Sequence, residues 1–372
     1  MARVKDWLDL ADTTVRDLRT RDVADLYAIE WPETKKFLVA DHLPQIEQER
    51  SRPRRFLRTW SAIFYGLAKR LVPQRRLLFV AAQLFALIAV VTFIADEGSF
   101  RDSFWILFGM IAAPALLSVV LGMELIDKIK FRDELELARD LQANLIPKIL
   151  PNDPPFEIAA HNAIANTVGG DIYDFIILPN GRLAVLFGDA SGHGMAAGLV
   201  MAVAHAAFRT QLELDPSPDA MFATLNRILC QTGGSRSFFA GVYLLVGPDG
   251  AFETKVAGHP PILHVNSKGN IVDEIGKGAY PLGIKRTLDW PLERRRMSDG
   301  DLLVLHSDGL VEARNALDVE LGEPAVHNIL RAYEGKPAGT LIDALVGEYK
   351  SFCGRRLPDD DISIAAIRFS RS

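Results

Sequence analysis

The stretch DIYDFIILPNGRLAVLFGD, residues 171–189, decides the fold. Two apolar runs flank the turn sequence PNG, and an Asn-Gly pair between such runs is a strong signal for a β-hairpin. Asp171 and Asp189 stand at the outer ends of the two runs. Aspartates at strand ends can meet at one rim of a sheet, where a buried carboxylate is costly unless a cation pairs with it.

The surrounding sequence extends this pattern. FAGVYLLV (239–246) and AFETKVAG (251–258) flank the turn GPDG and predict a second antiparallel hairpin. Helices are predicted over 194–214, 217–231 and 340–354, and a closing strand over 361–369. Hairpins with helices inserted between them predict an α+β fold, with two stacked antiparallel sheets and helices outside.

Four segments contain aspartates beside small residues and next to a β-type run. They are VGGDIYD (Asp171), LAVLFGDASGHG (Asp189), LLVLHSDGLVE (Asp308) and LPDDDISIAAI (Asp359, Asp360, Asp361). Each alone is usually a turn. If they meet, the like charges repel unless cations sit between them. Oxygen ligands suit Mg²⁺ or Mn²⁺, and the sequence has no Cys/His cluster for zinc. Two ions about 3.5 to 4 Å apart would activate water for attack on a phosphoester.

His193, in SGHG, is a candidate proton donor to the leaving oxygen. A histidine that stabilises the turn is the alternative.

Six segments carry a family resemblance: ARDLQANLIP, GGDIYDF, DASGHGMAAGLVMA, AGHPP, HSDGLVEARN and DDDIS. In this order, over about residues 133–370, they resemble the metal-dependent Ser/Thr protein phosphatases related to phosphatase 2C, in the bacterial SpoIIE-like branch. The resemblance implies a β-sandwich flanked by helices with two Mn²⁺ or Mg²⁺ ions. It also implies a phosphoserine or phosphothreonine substrate on a STAS-type anti-anti-sigma factor.

The resemblance implies the following metal ligands: Asp171 for one ion, Asp189 as the bridge between both, the backbone carbonyl of Ala190, and Asp308 with Asp360 or Asp361 for the second ion. Asp360 is favoured over Asp361 by its spacing to Ser363. None of the expected aspartates is replaced, which favours an active enzyme. The family's more remote members place a histidine nearer the bridging aspartate, whereas Ser191 and Gly192 precede His193 here.

Composition excludes several classes of protein. The chain has 372 residues, 49% of them hydrophobic, which is enough for two or three structural units. A net charge of -5 gives no general reason to expect nucleic-acid binding, so we expect none. Only two cysteines are present, Cys230 and Cys353, and reduced thiols in a cytosolic environment are the simpler interpretation.

Two runs without charge, 77–95 and 103–123, are each long enough to span a bilayer, so 77–123 is predicted to be a transmembrane hairpin. A pair of buried core helices is the alternative. The preceding segment, Arg50 to Arg76, holds nine Lys/Arg and no Asp or Glu, whereas the connector reads DEGSFRD. The positive-inside rule therefore predicts a multi-pass inner-membrane protein with both ends of the hairpin in the cytoplasm.

Residues 1–76 are predicted to form a cytoplasmic helical segment with a basic amphipathic helix. Apolar residues recur at helical spacing in its second half: Phe56, Trp60, Ile63, Phe64, Leu67 and Leu71. Such a helix can lie on an anionic inner leaflet, and a solvated basic helix is the alternative. We attach no chemistry to residues 1–50.

Residues 124–150 are predicted to form a linker helix that leads into the catalytic domain, residues 151–372. Its apolar residues, at 125, 126, 129, 135, 138, 141 and 145, are broadly three and four apart until Pro147. The stripe predicts a homodimer that passes a signal onward, or packing on the following domain.

The sequence is also compatible with two other functions. GGDIYDF resembles the GGDEF signature of diguanylate cyclases, but that signature requires an acidic residue where Ile172 stands. The second alternative is a membrane-tethered signalling module that binds its partner without catalysis.

Overall fold

The structure is a computed structural model that describes residues 51–94, 100–165, 168–192, 194–232, 237–333, 335–356 and 358–371. The chain divides into two compact units, Met1–Lys130 and Phe131–Ser372. The predicted segment 1–50 and the predicted catalytic residue His193 lie outside the described residues.

The described part of the first unit is helical. It contains α1 (Arg52–Arg70), α2 (Pro73–Ile94) and the greater part of α3 (Phe100–Ala143). The second apolar run and the predicted linker form one continuous helix, which ends at Ala143 rather than at Pro147. Pro114 lies inside this helix. Pro73–Ile94 and Ser103–Ala143 are each long and apolar enough to cross a membrane, by length and composition.

The second unit is built on ten described strands: β1 (Phe156–Ala163), β2 (Asp171–Ile177), β3 (Leu183–Ala190), β4 (Phe239–Val246), β5 (Ala251–Ala257), β6 (Ile262–Val265), β7 (Ile271–Ile275), β8 (Glu293–Arg296), β9 (Leu302–His306) and β10 (Ile362–Phe369). They form two five-stranded sheets, ordered β1-β10-β9-β6-β7 and β2-β3-β4-β5-β8. All the pairings are antiparallel.

The two sheets share one apolar core. Phe187, Leu244 and Phe252 from one sheet pack in the same cluster as Leu305 and Ile367 from the other. Burying each such side chain contributes about 1.5–3 kcal/mol relative to leaving it exposed. The predicted sandwich and both hairpins are therefore confirmed.

Helices cover the outer face of each sheet. They are α4 (Met195–Leu214), α5 (Pro218–Thr232), α6 (Asp308–Val311), α7 (Glu323–Arg331) and α8 (Ala338–Cys353). Met201 and Phe208 of α4 pack with Tyr243 of β4, while Leu341 of α8 packs with Ile364 of β10. The central strands are thus buried on both faces, which explains why they are apolar almost without interruption.

A buried ion cluster fixes α4 to β2. Asp174 of β2 is fully buried and its carboxylate contacts His205 Nε2 at 2.8 Å. Arg209 donates to the same carboxylate from Nε at 2.6 Å and from Nη2 at 3.0 Å. Because Asp174 lies three residues after Asp171, this cluster also restrains the strand that carries the first predicted metal ligand.

We predict that Asp174→Ala lowers the free energy of unfolding by about 2 to 4 kcal/mol, since Arg209 and His205 lose their buried partner while Arg209 still reaches water. Urea unfolding of residues 131–372, followed by fluorescence of the buried Trp290, measures the change. Glu348→Ala, on the exposed side of α8, is the control and should shift stability by less than about 0.5 kcal/mol. Equal stability of the two variants would contradict this role.

Candidate metal centre

Asp171 and Asp189 lie directly opposite each other across two strands. Asp171 begins β2, Asp189 lies one residue before the end of β3, and the two are partners in the antiparallel register. The turn PNG sets this register, because Gly181 adopts the positive φ of 77° that the tight turn requires. Like charges at such paired positions repel, so this pair favours a shared cation.

The two glycines before Asp171 give space for close approach. A Cβ on Gly170 would lie 2.5 Å from Asp189 Oδ1, and a Cβ on Gly169 would collide with the carboxylate of Asp361. Neither glycine has a positive φ. The sequence VGGD therefore contains glycines because two carboxylates pack against its backbone, and conformational freedom is not the reason.

Asp361 is fixed in place by backbone donors. Its Oδ1 accepts from the Ala165 amide at 2.8 Å, and its Oδ2 accepts from the Gly170 amide at 2.7 Å. Asp361 precedes β10 in the first sheet, whereas Gly170 precedes β2 in the second. This carboxylate therefore joins the rims of the two sheets.

Two serines tie neighbouring strands of the first sheet together at this rim. The Ser307 amide donates to the Ser363 carbonyl at 2.9 Å, and the Ser363 amide donates to Ser307 Oγ at 2.9 Å. Both serines are buried, and their hydroxyl groups oppose the rise in the pKa of Asp171 that burial causes. They tie the end of β9, which leads into Asp308, to the start of β10.

Asp308 and Asp360 stand at the same rim. Asp308 is the first residue of the short helix α6, and Asp360 Oδ1 accepts from the amide of Asp361 at 2.8 Å. Burial raises the pKa of Asp360, and the charge of Asp308 adds to the shift. A Cβ on Gly309 would collide with the Asp361 carbonyl, so α6 packs tightly against the DDD segment.

The first member of DDD lies apart from this group. Asp359 is exposed, and its carboxylate accepts from Arg356 Nη2 at 2.9 Å. Arg356 also bonds Asp318 at 2.9 Å through Nη1. Asp359 is thus already paired on the surface, while Asp360 and Asp361 turn towards the other aspartates.

Burial and mutual repulsion change the acidity of the paired aspartates. Burial raises the pKa of Asp171 to about 7, and the charges of Asp361 and Asp308 add to the shift. Burial likewise raises the pKa of Asp189 to about 8, with Asp171 as the strongest of the neighbouring charges. Both groups are therefore costly to ionise unless positive charge is supplied.

The residues present fit a divalent cation. Asp171 Oδ2 is buried and has no hydrogen-bond partner, which is expensive unless it serves as a ligand. Carboxylate and carbonyl oxygens suit Mg²⁺ or Mn²⁺. Within the described ranges, no three His, Cys, Asp or Glu side chains already stand in ligating geometry. The carboxylates share one rim and do not form a closed cage.

The carbonyl of Ala190, a predicted ligand, lies close to Gly170. Its amide donates to the Gly170 carbonyl at 3.1 Å, and its own carbonyl oxygen faces the space where a Cβ on Gly170 would lie, 2.7 Å away. The next residue, Ser191, accepts from the Phe238 amide at 2.8 Å through Oγ.

Sequence reasoning missed Gln142 as a site residue. This buried side chain at the end of α3 makes two hydrogen bonds with Gly169: its Nε2 donates to the carbonyl at 2.7 Å, and its Oε1 accepts from the amide at 3.0 Å. The signal available in the sequence was the position of Gln142 within the segment ARDLQANLIP, whereas its burial is visible only in the structure. Gln142 positions the glycines against which Asp189 and Asp361 pack.

Known proteins resemble the C-terminal part of this chain. A family model described as Stage II sporulation protein E (SpoIIE) matches residues 179–370. Phosphoserine phosphatase RsbU of Bacillus subtilis (strain 168) is 26% identical over 186 residues, which is 50% of this chain and 55% of RsbU. Phosphoserine phosphatase RsbP of the same organism is 24% identical over 190 residues, which is 50% of this chain and 47% of RsbP. The chain spans about half the length of these relatives.

Solved structures share the fold. The SiaA-PP2C domain of Pseudomonas aeruginosa superposes with a TM-score of 0.58 at 20% identity, covering 66% of this chain and 99% of that domain. The PP2C phosphatase domain of SpoIIE from Bacillus subtilis, with a fragment of its regulatory domain, gives 0.51 at 19% identity, covering 57% and 63%. The predicted phosphatase 2C-like α+β fold is confirmed.

We predict that the metal-free chain loses stability as pH rises. The folded state holds protons on Asp171 and Asp189 up to about pH 7 and 8, whereas the unfolded carboxyls ionise near 3.8. Since the folded state binds more protons in this interval, the free energy of unfolding falls with rising pH, and the loss is complete above the folded pKa values.

Thermal unfolding in chelator between pH 5 and 9 measures the effect. The decline should be smaller in Asp189→Asn, and Mn²⁺ should restore stability at high pH because it pairs with both carboxylates. Identical pH profiles for the parent and Asp189→Asn would contradict the assignment.

We predict that Gln142→Ala weakens Mn²⁺ binding about tenfold, because a positioning group behind the ligands is lost. Calorimetric titration of the full chain in detergent measures the affinity. Asn144→Ala, two positions along and exposed, is the matched control and should bind as the parent does. Unchanged affinity in Gln142→Ala would show that the Gln142–Gly169 contact is only structural.

Proposed function

Because the chain belongs to the SpoIIE family, we propose that it is a metal-dependent protein phosphatase that hydrolyses phosphoserine or phosphothreonine on a regulatory partner protein. One observation carries the proposal: aspartates distant in sequence meet at one rim of the sandwich, with a buried oxygen of Asp171 unpartnered. Such a site attracts divalent cations rather than an acidic substrate.

Two Mn²⁺ or Mg²⁺ ions are the cofactors we propose. Asp171 would hold one, Asp189 would bridge both, the Ala190 carbonyl would complete a site, and Asp308 with Asp360 would hold the second. Asp361 then acts as the support that Ala165 and Gly170 fix in place. When bound, the ions lower the pKa of water and neutralise charge on the phosphoryl group.

The chain itself supplies orientation. Ser307 and Ser363 tie β9 to β10 within the first sheet, and Gly169 and Gly170 let carboxylates approach the backbone. A covalent thiol route is disfavoured for Cys353, since burial raises the pKa of its thiol. Direct attack by water is therefore the reaction we propose.

A cavity beside Asp360 suits a segment of the substrate. Its volume is about 150 Å³, and Gly309, Glu312, Arg314 and Tyr349 contribute to its lining. Arg314 bonds Asp318 at 3.2 Å and Glu320 at 2.7 Å, so its guanidinium is held at the rim of an otherwise acidic region. A phosphorylated chain entering here meets a fixed cation before it reaches the aspartates.

The partner we propose is a STAS-type anti-anti-sigma factor, as the family resemblance implies. We further propose that α2 and α3 form a multi-pass hairpin in the inner membrane, with the catalytic unit in the cytoplasm. The charge difference between the basic segment and the acidic connector supports this orientation. Exposed Leu137 and Leu141, four residues apart on α3, support a homodimer through this helix.

Mutation of the aspartates tests the activity. In Mn²⁺, the full chain should hydrolyse p-nitrophenyl phosphate and a phosphoserine peptide, whereas Asp189→Asn and Asp308→Asn should lose at least about a hundredfold in rate. Asp359→Asn is the matched control, because this neighbouring aspartate already pairs with Arg356, and it should retain the rate.

Two results would contradict the proposal in different ways. A parent chain that binds Mn²⁺ and a phosphoprotein without hydrolysis would indicate a binding module. Asp189→Asn or Asp308→Asn variants as active as the parent would place the reaction elsewhere.

A further inference from the structure

Helix α1 presents an apolar stripe to its surroundings. Phe56, Trp60, Phe64 and Leu67 are 62%, 40%, 38% and 39% exposed. Their spacing of four, four and three residues puts them on one side of the helix. The ring centroids of Phe56 and Trp60 are 6.0 Å apart, and those of Trp60 and Phe64 are also 6.0 Å apart, so the rings form a continuous row.

This stripe is distinct from the side by which α1 packs. Among the residues of the helix whose burial is described, Ala62, Ile63 and Gly66 are buried, and at about 100° per residue they lie roughly a third of a turn away from the stripe. Arg54, Arg58 and Lys69 lie on the far side from the stripe. The cationic side of α1 is therefore separate from the apolar stripe but adjoins the packing side.

Along the sequence, the charge of α1 and its flanks has a single sign, and Arg75 at the start of α2 pairs with Glu124 and Asp127 of α3. Between Arg50 and Arg76 there are nine Lys/Arg and no Asp or Glu. A helix that combines exposed aromatic residues with such a cationic side is complementary to a surface that is apolar inside and anionic outside. The inner leaflet of a membrane has both properties.

The connection to α2 sets the position of this helix. Helix α1 ends at Arg70 and α2 begins at Pro73. Arg76 closes the junction, since its Nε donates to the Ala68 carbonyl at 2.9 Å and its Nη2 donates to the Lys69 carbonyl at 3.2 Å. Phe64 continues the aromatic row to Phe79 of α2, with ring centroids 6.2 Å apart.

We propose that α1 is an interfacial helix that binds anionic phospholipid at the cytoplasmic leaflet. The stripe from Phe56 to Leu67 enters the boundary between headgroups and acyl chains, and the cationic side remains among the phosphates. This inference rests on the proposed membrane hairpin, because the two-residue junction places α1 at the end of the first span. Two other occupants could cover the stripe: a second copy of the chain, or a segment of protein. The experiment must distinguish both of them from lipid.

The experiment uses the full chain in nanodiscs of phosphatidylcholine, with or without phosphatidylglycerol. An environment-sensitive fluorophore is attached to single cysteines at Phe64→Cys, Ser61→Cys or Leu107→Cys, after Cys230→Ser and Cys353→Ser. Position 64 reports the stripe, and exposed Ser61 on the same helix is its matched control. Position 107, in the second apolar run and 60% exposed, reports the hairpin itself.

We expect spin-labelled lipid to quench the fluorophore at position 64 about twofold or more strongly than at position 61, and phosphatidylglycerol to increase the quenching at 64. Replacing Arg54, Arg58 and Lys69 by Gln should remove the effect of phosphatidylglycerol while leaving position 107 unchanged.

Each contrary result has its own meaning. Quenching at 107 but not at 64 overturns the inference about α1 and leaves the hairpin intact. No quenching at 107 overturns the membrane hairpin. If the fluorophore at position 64 is buried but is not quenched by spin-labelled lipid, protein covers the stripe. If a nitroxide at position 64 reports a short distance between two chains, the occupant is a second copy.

Discussion

Repulsion between Asp171 and Asp189 is the constraint around which the second unit is organised. The hairpin turn fixes their register, so neither carboxylate can move away without breaking the β2–β3 pairing. Burial removes the water that would otherwise screen them. The fold therefore maintains a pair of carboxylates that is unfavourable by itself and favourable with a divalent cation.

The surrounding features support that pair from several directions. Asp361 joins the two sheet rims through backbone donors, Ser307 and Ser363 tie β9 to β10 within the first sheet, and Asp174 anchors β2 to α4. Gln142 extends the same support to the end of α3 through Gly169. A displacement at the end of this helix would act on the glycines against which Asp189 and Asp361 pack, so this short contact would couple the proposed metal binding to the position of the helix.

Local patterns predicted most of the fold. The PNG and PDG turns and the long helices were predicted. The central strands were predicted as well, because both of their faces are buried and their sequences are therefore apolar almost without interruption. The edge strand β8, with the sequence ERRR, was not foreseen, since exposed edge strands carry charge instead of the apolar pattern. Strands β6 and β7, and helix α7, are short and were missed for lack of periodicity.

The residues of the candidate site could be predicted from the sequence, but their spatial arrangement could not. The aspartates follow strands, which sequence reveals, yet only the register shows that Asp171 faces Asp189 and that Asp359 turns to Arg356. The role of Gly169 and Gly170 was also not predicted, because close packing between segments distant in sequence leaves no local pattern. Gln142 was missed for the same reason.

Anomalous diffraction at the manganese edge, from crystals of residues 131–372 grown with Mn²⁺, tests the central claim most directly. We expect anomalous peaks at the rim, among the carboxylates of Asp171, Asp189, Asp308 and Asp360. Peaks elsewhere, or none at this rim while the protein is folded, would contradict it.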